Sequence, residues 1–141
     1  MAIQRENFFE YYACPICSGG LFPKDSGLSC KSCGKKFRVA SEKVFFIEPP
    51  ENAPEDPNND PANQAKWSNW RKANYRYFAE ELLVVPDGAR ILDLGAGPSQ
   101  FRNIFSRFPN LVSVDFFPYE KVGVVADITA RLPFQDSIVD A

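Results

Sequence analysis

The sequence predicts an α/β fold in two unequal parts: a small β module built on cysteines, then the opening half of a parallel sheet with helices. Three observations carry this expectation. Two Cys-x-x-Cys pairs, Cys14–Cys17 and Cys30–Cys33, lie near the N-terminus with twelve residues between them. A short apolar run, Ile91-Leu92-Asp93-Leu94, breaks into Gly95-Ala96-Gly97 and is followed by apolar residues at helical spacing. Two further apolar runs, 111–114 and 122–126, are each closed by an aspartate.

The chain of 141 residues is long enough for one domain plus a small module, and 13 phenylalanines with a 45% hydrophobic content support a core. Its net charge of -2 hides a segmentation. Residues 1–47 hold seven basic and four acidic side chains, 48–65 five acids and no base, 66–85 four bases and two acids, and 86–141 five bases and seven acids. No run is basic enough to serve alone as a nucleic-acid footprint. The sequence contains no apolar stretch of 18 residues, no signal-peptide pattern and no lipidation motif, so a cytoplasmic protein with no membrane partner is expected.

Residues 1–12 carry Phe8, Phe9, Tyr11 and Tyr12, an aromatic lead-in expected to pack against the adjacent module, with ligand stacking as the alternative. All four cysteines follow. Their spacing lets two sulfurs of each knuckle face one ion, and four thiolates make a closed, structural zinc site at Cys14, Cys17, Cys30 and Cys33. Two disulfides or a redox motif compete with this reading, but a cytoplasmic setting disfavours the first and a redox motif needs no duplicate. Gly19 and Gly34 follow the knuckles, Lys24 to Gly27 suits a hairpin turn, and Phe37, Val39, Val44, Phe45 and Phe46 supply later strands. The expectation is a zinc ribbon over residues 1–47, in which metal substitutes for hydrophobic mass. Replacing Cys14 or Cys33 is expected to unfold the ribbon while leaving residues 88–141 largely unaffected, because metal binding and folding of such a module are coupled. Lys31, Lys35, Lys36 and Arg38 admit RNA phosphate contact as an alternative to plain solvation.

Residues 48–63, rich in proline, asparagine and acids, read as a linker. The second part, 64–141, opens with one helix or two over 64–83, whose Trp67, Trp70, Arg71, Asn74, Tyr77, Phe78 and Leu82 form an aromatic-rich stripe. Core packing is the plain expectation for that stripe, and a lid over a ligand the alternative. Pro86-Asp87-Gly88 turns the chain into a buried strand at 90–94. The glycines then bring backbone N–H groups to the sheet's carboxyl edge, beside a helix over 100–107. A dinucleotide fingerprint needs a third glycine where this chain has Gln100. A carboxylate at Asp93, inside the strand, further favours a ligand with a cationic part. Asp115, closing the second strand, suits two ribose hydroxyls, and the rings of Phe116 and Phe117 can flank a ligand. The connection onward to the third strand is too short for a helical crossover, so a loop is predicted. Leu132-Pro133-Phe134 is a second apolar turn, and Ser137 to Ala141 starts a fourth strand.

Four stretches together resemble the class I S-adenosylmethionine-dependent methyltransferases: residues 91–99, Val112-Ser113-Val114-Asp115, Val125-Ala126-Asp127-Ile128, and 132–140. The resemblance covers 88–141 and implies the first half of a Rossmann-like sheet. In that family the residue matching Asp93 helps hold the methionine end, Gly95 and Gly97 let the backbone approach the cofactor, and Asp115 binds the ribose. Asp127 matches the residue that reads the adenine amino group, and Ile128 the one whose backbone N–H meets the ring. The ribbon is similar to those that activate methyltransferases or are fused in front of them. One fused class, acting on ribosomal RNA guanine, carries a histidine in the last ligand region, and this chain has none. The resemblance implies S-adenosylmethionine as cofactor and methyl transfer by alignment of donor and acceptor, with the acceptor and catalytic residues unassigned. The family's sheet has seven strands, so this chain is expected to be an inactive N-terminal part with an exposed sheet edge prone to self-association. The alternative is a zinc-ribbon interaction or activator protein, binding protein or RNA, with a degenerate non-catalytic half-domain.

Overall fold

Four short strands at the N-terminal end form an antiparallel meander. The computed structural model describes residues 8–53, 63–99 and 101–141. Most of the proline-rich segment, including Pro54, Pro57 and Pro61, lies outside the described residues, as does Gln100. After a 3-10 turn at Phe8–Tyr11 come β1 (Leu21–Lys24), β2 (Gly27–Cys30), β3 (Lys36–Ala40) and β4 (Lys43–Phe45), paired antiparallel in sequence order. The β3–β4 turn is made by Ser41 and Glu42, both with positive φ (50° and 62°). That conformation matches strand twist but ordinarily asks for Asn or Gly.

The second part begins with a 3-10 turn at Gln64–Lys66. Helix α1 (Asn69–Glu81) starts at Ser68, whose hydroxyl accepts the Arg71 N–H at 3.2 Å and so satisfies one orphan donor. It ends in another 3-10 turn, Leu82–Val84. Strands β5 (Arg90–Leu94), β6 (Asn110–Asp115) and β7 (Val124–Val125) are parallel, and α2 (Arg102–Phe105) connects the first two. The predicted helix over 100–107 is thus a single turn. Residues 116–123 form a loop without helix.

All seven strands belong to one mixed, partly parallel sheet, in the order β1-β2-β3-β4-β7-β6-β5. The junction is β4 against β7, parallel, with Val44 opposite Val124 and Phe45 opposite Val125. At the other edge the last residues follow β5: the Leu92 N–H donates to the Ala141 carbonyl at 2.9 Å, and the Asp140 N–H to the Arg90 carbonyl at 2.8 Å.

Strand alternation divides the core. On one face Val44, Phe46, Val114, Val124 and Ala126 join Tyr12, Leu28, Phe37, Cys14 and Cys30 in a single apolar cluster. On the other, Ile91 packs with Leu82, Ala89, Phe105 and Phe108, while Phe45 and Val125 pack with Ala96 and Val122. The helical stripe is not core. Trp67 and Leu82 are buried, but no residue of α1 is, and Trp70 and Tyr77 are 72% and 57% exposed. At one side the helix makes an aromatic contact with the segment before α2, where Tyr75 and Phe78 meet Phe101 with ring centroids 5.7 and 5.9 Å apart.

Candidate metal centre and carboxyl-edge site

The two knuckles bring their four sulfurs to within 4.8 Å of one another. The Cys14 and Cys33 sulfurs are 3.7 Å apart and those of Cys17 and Cys30 3.5 Å. Both separations are far beyond a disulfide bond of about 2.05 Å. They approach the edge of about 3.8 Å that a tetrahedron of thiolates has around an ion about 2.3 Å from each sulfur. The cluster therefore fits a metal ion bound by Cys14, Cys17, Cys30 and Cys33.

Local backbone makes the site. Ser18, with φ of 62°, ends the first knuckle, and its N–H returns to the Cys14 carbonyl at 2.8 Å. In the second knuckle Gly34, with φ of 73°, donates to the Cys30 carbonyl at 3.1 Å. Gly19 has a different reason: a Cβ there would sit 2.5 Å from the Ser32 hydroxyl and 2.9 Å from the Cys30 sulfur. The two knuckles approach too closely for any side chain. Backbone N–H groups of Cys33 and Ser32 pull the Cys30 thiol down, while hydrogen bonding to the neighbouring cysteines, Cys30 first, pushes the Cys17 thiol up, so the sulfurs share their protons as one cluster.

At the far end of the sheet, the glycine turn is tied to β6. The Gly95 and Ala96 N–H groups share the Val114 carbonyl at 2.9 and 3.1 Å. The Asp115 carboxylate accepts the Gly97 N–H at 2.8 Å through Oδ2 and the Phe117 N–H at 2.9 Å through Oδ1. Each oxygen keeps a lone pair for a further donor. Gly95 and Gly97 have φ of 75° and 56°, a region where a side chain is strained. A Cβ on Gly95 would lie 3.6 Å from the Ile128 side chain, so the turn and the segment after β7 are in van der Waals reach.

Asp93 stands beside this cluster. Burial, and secondarily the Asp115 charge, push its carboxyl up to about 6. It lines a cleft of about 520 Å³ over the α2 face, with Ser99, Arg102, Phe105, Ser113 and Lys121. Ser99 is buried in a left-handed conformation (φ 61°), and its hydroxyl finds no partner among the described residues. Asp127 is different: its exposed carboxylate turns back on Thr129, accepting the N–H at 2.9 Å and the hydroxyl at 2.6 Å. The Thr129 hydroxyl, and then its N–H, hold that carboxyl below its ordinary range. Phe116 is half-exposed, its ring edge against Phe117 at 5.5 Å.

Of the seven residues expected at a ligand site, Gly95, Gly97, Asp115 and Ile128 are joined by contacts, and Asp93 couples to Asp115 through charge. Asp127 and Phe116 lie just past the ends of β7 and β6, where the Asp127 carboxylate is taken up by Thr129 and the Phe116 ring by Phe117. The cleft beside Asp93 is not lined by Asp115, Phe116, Asp127 or Ile128. A second cavity, of about 800 Å³, lies on the opposite side between Ser18, Leu92, Arg131, Phe134 and Ile138. Sequence reasoning missed Lys43, because nothing in a lone lysine after Ser41-Glu42 signals its role; Ser99 falls within the stretch 91–99 already singled out in the sequence.

The ribbon's basic residues are partly engaged. Arg38 pairs with Glu48 at 3.2 Å and lies over the Phe45 ring, and Lys36 is 3.9 Å from Asp25. No helix among the described residues is long and apolar enough to cross a membrane. No protein-family model matches the chain, and no curated protein shows significant similarity to it.

Proposed function

We propose that this chain is a zinc-ribbon interaction protein whose α/β half serves binding rather than chemistry. The observation that carries the reading is the set of four cysteine sulfurs within 4.8 Å of one another. Four thiolates favour zinc and complete its tetrahedron, so the ion stabilises the fold and has no open position for a substrate. A protein partner is favoured over RNA because Arg38 and Lys36 are occupied by carboxylates, while Trp70, Tyr77, Leu83 and Val84 are exposed along one segment. Exposed apolar groups in such number commonly mark contact surfaces.

A second reading is that the full-length protein transfers a methyl group from S-adenosylmethionine, held at the carboxyl edge of a Rossmann-like sheet. Its support is the convergence of the glycine turn, Asp115 and Ile128. Asp93 and Asp115 would supply negative charge for the cationic donor and acceptors for its ribose, and the glycines a close backbone approach. The methyl acceptor is left open by both the residues and the geometry.

Calorimetric titration of the zinc-loaded protein with S-adenosylmethionine and with its demethylated product separates the two readings. The interaction reading expects no saturable heat. Saturable heat with these ligands, absent with NAD and ATP, would replace it by the methyltransferase reading.

A further inference from the structure

The ribbon supports the third parallel strand on both sides of its short length. Along β4, the Val44 N–H donates to the Gly123 carbonyl at 3.0 Å and the Phe46 N–H to the Val125 carbonyl at 2.8 Å. Beside them the Lys43 ammonium collects three carbonyls of the preceding loop, those of Tyr119, Glu120 and Val122, at 2.8, 2.9 and 2.6 Å. Its three N–H donors are thereby matched by three acceptors. Beyond the strand, the Ala13 N–H donates to the Pro133 carbonyl at 3.1 Å, and the Gln135 N–H to that of Tyr11 at 3.0 Å. The Arg131 guanidinium reaches the Ser18 hydroxyl, on the first knuckle, at 2.6 Å. Cys14 and Cys30 lie in the same apolar cluster as Val114, Val124 and Ala126.

Strand β7 has two residues, and the loop before it carries no helix to pack against the sheet. A pairing that short has little stability of its own. We infer that the ribbon takes the place of a packing helix at this edge, with Lys43 as the positioning residue of the 119–122 loop, so that filling the cysteine site orders β7 and the Asp127–Ile128 segment. Apo ribbons of this size lack the hydrophobic mass to stay folded. Metal loss would then release Val44 and Lys43 together, and β7 would lose its outer neighbour. The expected independence of residues 88–141 from the cysteines is replaced by a metal-dependent edge on the α/β half.

The inference rests on metal binding at the four cysteines but not on any ligand at the carboxyl edge, and the experiment keeps these apart. Hydrogen exchange by mass spectrometry is followed on the whole chain, with bound metal measured in the same samples. Three states are compared: zinc-loaded, stripped with a chelator, and zinc-loaded Lys43→Met. Stripping is expected to raise exchange in 122–126 together with that in 21–46, and zinc to restore both. Lys43→Met is expected to keep its zinc yet lose protection about tenfold or more in 119–126, as removal of a charged donor from several acceptors implies. Exchange in 122–126 that stays unchanged while 21–46 opens would show two independent modules and overturn the inference. So would a purified chain without metal, or a Lys43→Met protein with unaltered protection.

Discussion

The Asp115 carboxylate accepts the Gly97 N–H at 2.8 Å, so the acid that closes the second parallel strand also holds the glycine turn that follows the first. One side chain thus serves local structure, and under the methyltransferase reading it would also receive a ligand's hydroxyls. Its two uses are separable. Asp115→Ala removes the acceptors of the Gly97 and Phe117 N–H groups and is expected to destabilise the chain by about 1–3 kcal/mol. Under the methyltransferase reading it also weakens S-adenosylmethionine binding by roughly 30- to 150-fold in the complete protein, against a smaller loss for Asp127→Ala. Chemical denaturation and calorimetry on the same variants check the two effects. Equal stability of Asp115→Ala and the parent would contradict the role in the turn.

Asp93 predicts a pH dependence with a definite sign. Its carboxyl is pushed up to about 6, while an unfolded chain titrates near about 3.9. Between those values the folded state binds the extra proton, so this residue makes stability fall as pH rises from about 4 to about 6. Above that window the ionised, half-desolvated carboxylate costs of order 2–3 kcal/mol. Asp93→Asn should remove this component and raise the denaturation midpoint at pH 7 relative to pH 4. Parallel stability profiles for the variant and the parent would refute the assignment.

Two glycines of the ribbon should differ sharply in tolerance. A Cβ on Gly27 would stand 2.3 Å from the Phe37 carbonyl oxygen, a backbone atom that cannot move without parting β2 from β3. Gly27→Ala should cost about 2–3 kcal/mol, the upper part of the range for overpacked sites. Gly34 has open space around it and only its φ of 73° to defend, so Gly34→Ala should cost about 1–2 kcal/mol. Thermal melts of zinc-loaded proteins rank them, and an equal loss in both would sink the distinction.

Elemental analysis should find one zinc per chain after purification without added metal, and Cys14→Ser should reduce it to near zero. A metal-free parent with cysteines paired as disulfides would end the ribbon reading.

The exposed side chains of α1 offer a surface test. Trp70 and Tyr77 make no contribution to the core, so Trp70→Ser/Tyr77→Ser should leave the melting temperature within the scatter of ordinary surface changes, about ±0.5 kcal/mol. If the helix is a contact surface, the double variant should also associate less with itself in sedimentation runs across a concentration series. Unchanged association, or a monomer at every concentration, would leave this face without that role.

The elements whose rules are local were legible in the chain itself. Cys-x-x-Cys spacing sets the knuckles because two sulfurs three positions apart can face one ion. The run from Ile91 to Leu94 is legible as a strand, although only Ile91 is buried and Leu94 is 44% exposed, and the positive φ of Gly95 and Gly97 suits the turn that follows. The brevity of 116–123 ruled out a helix by length. The fate of the α1 stripe was not legible, because periodicity shows that Trp70 and Tyr77 share a face with other large side chains but not whether anything covers that face. Nor was the junction of the two parts. A strand's alternation says which residues point inward and is silent on its neighbour, so Val44 beside Val124 is decided only when the sheet assembles. The ribbon's position at the edge of the parallel strands then gives Lys43 three carbonyls to hold, a contact between segments nearly eighty residues apart. Local chemistry in the sequence determined the cysteine cluster and the turn, and long-range backbone pairing, which no local pattern encodes, made them parts of one sheet.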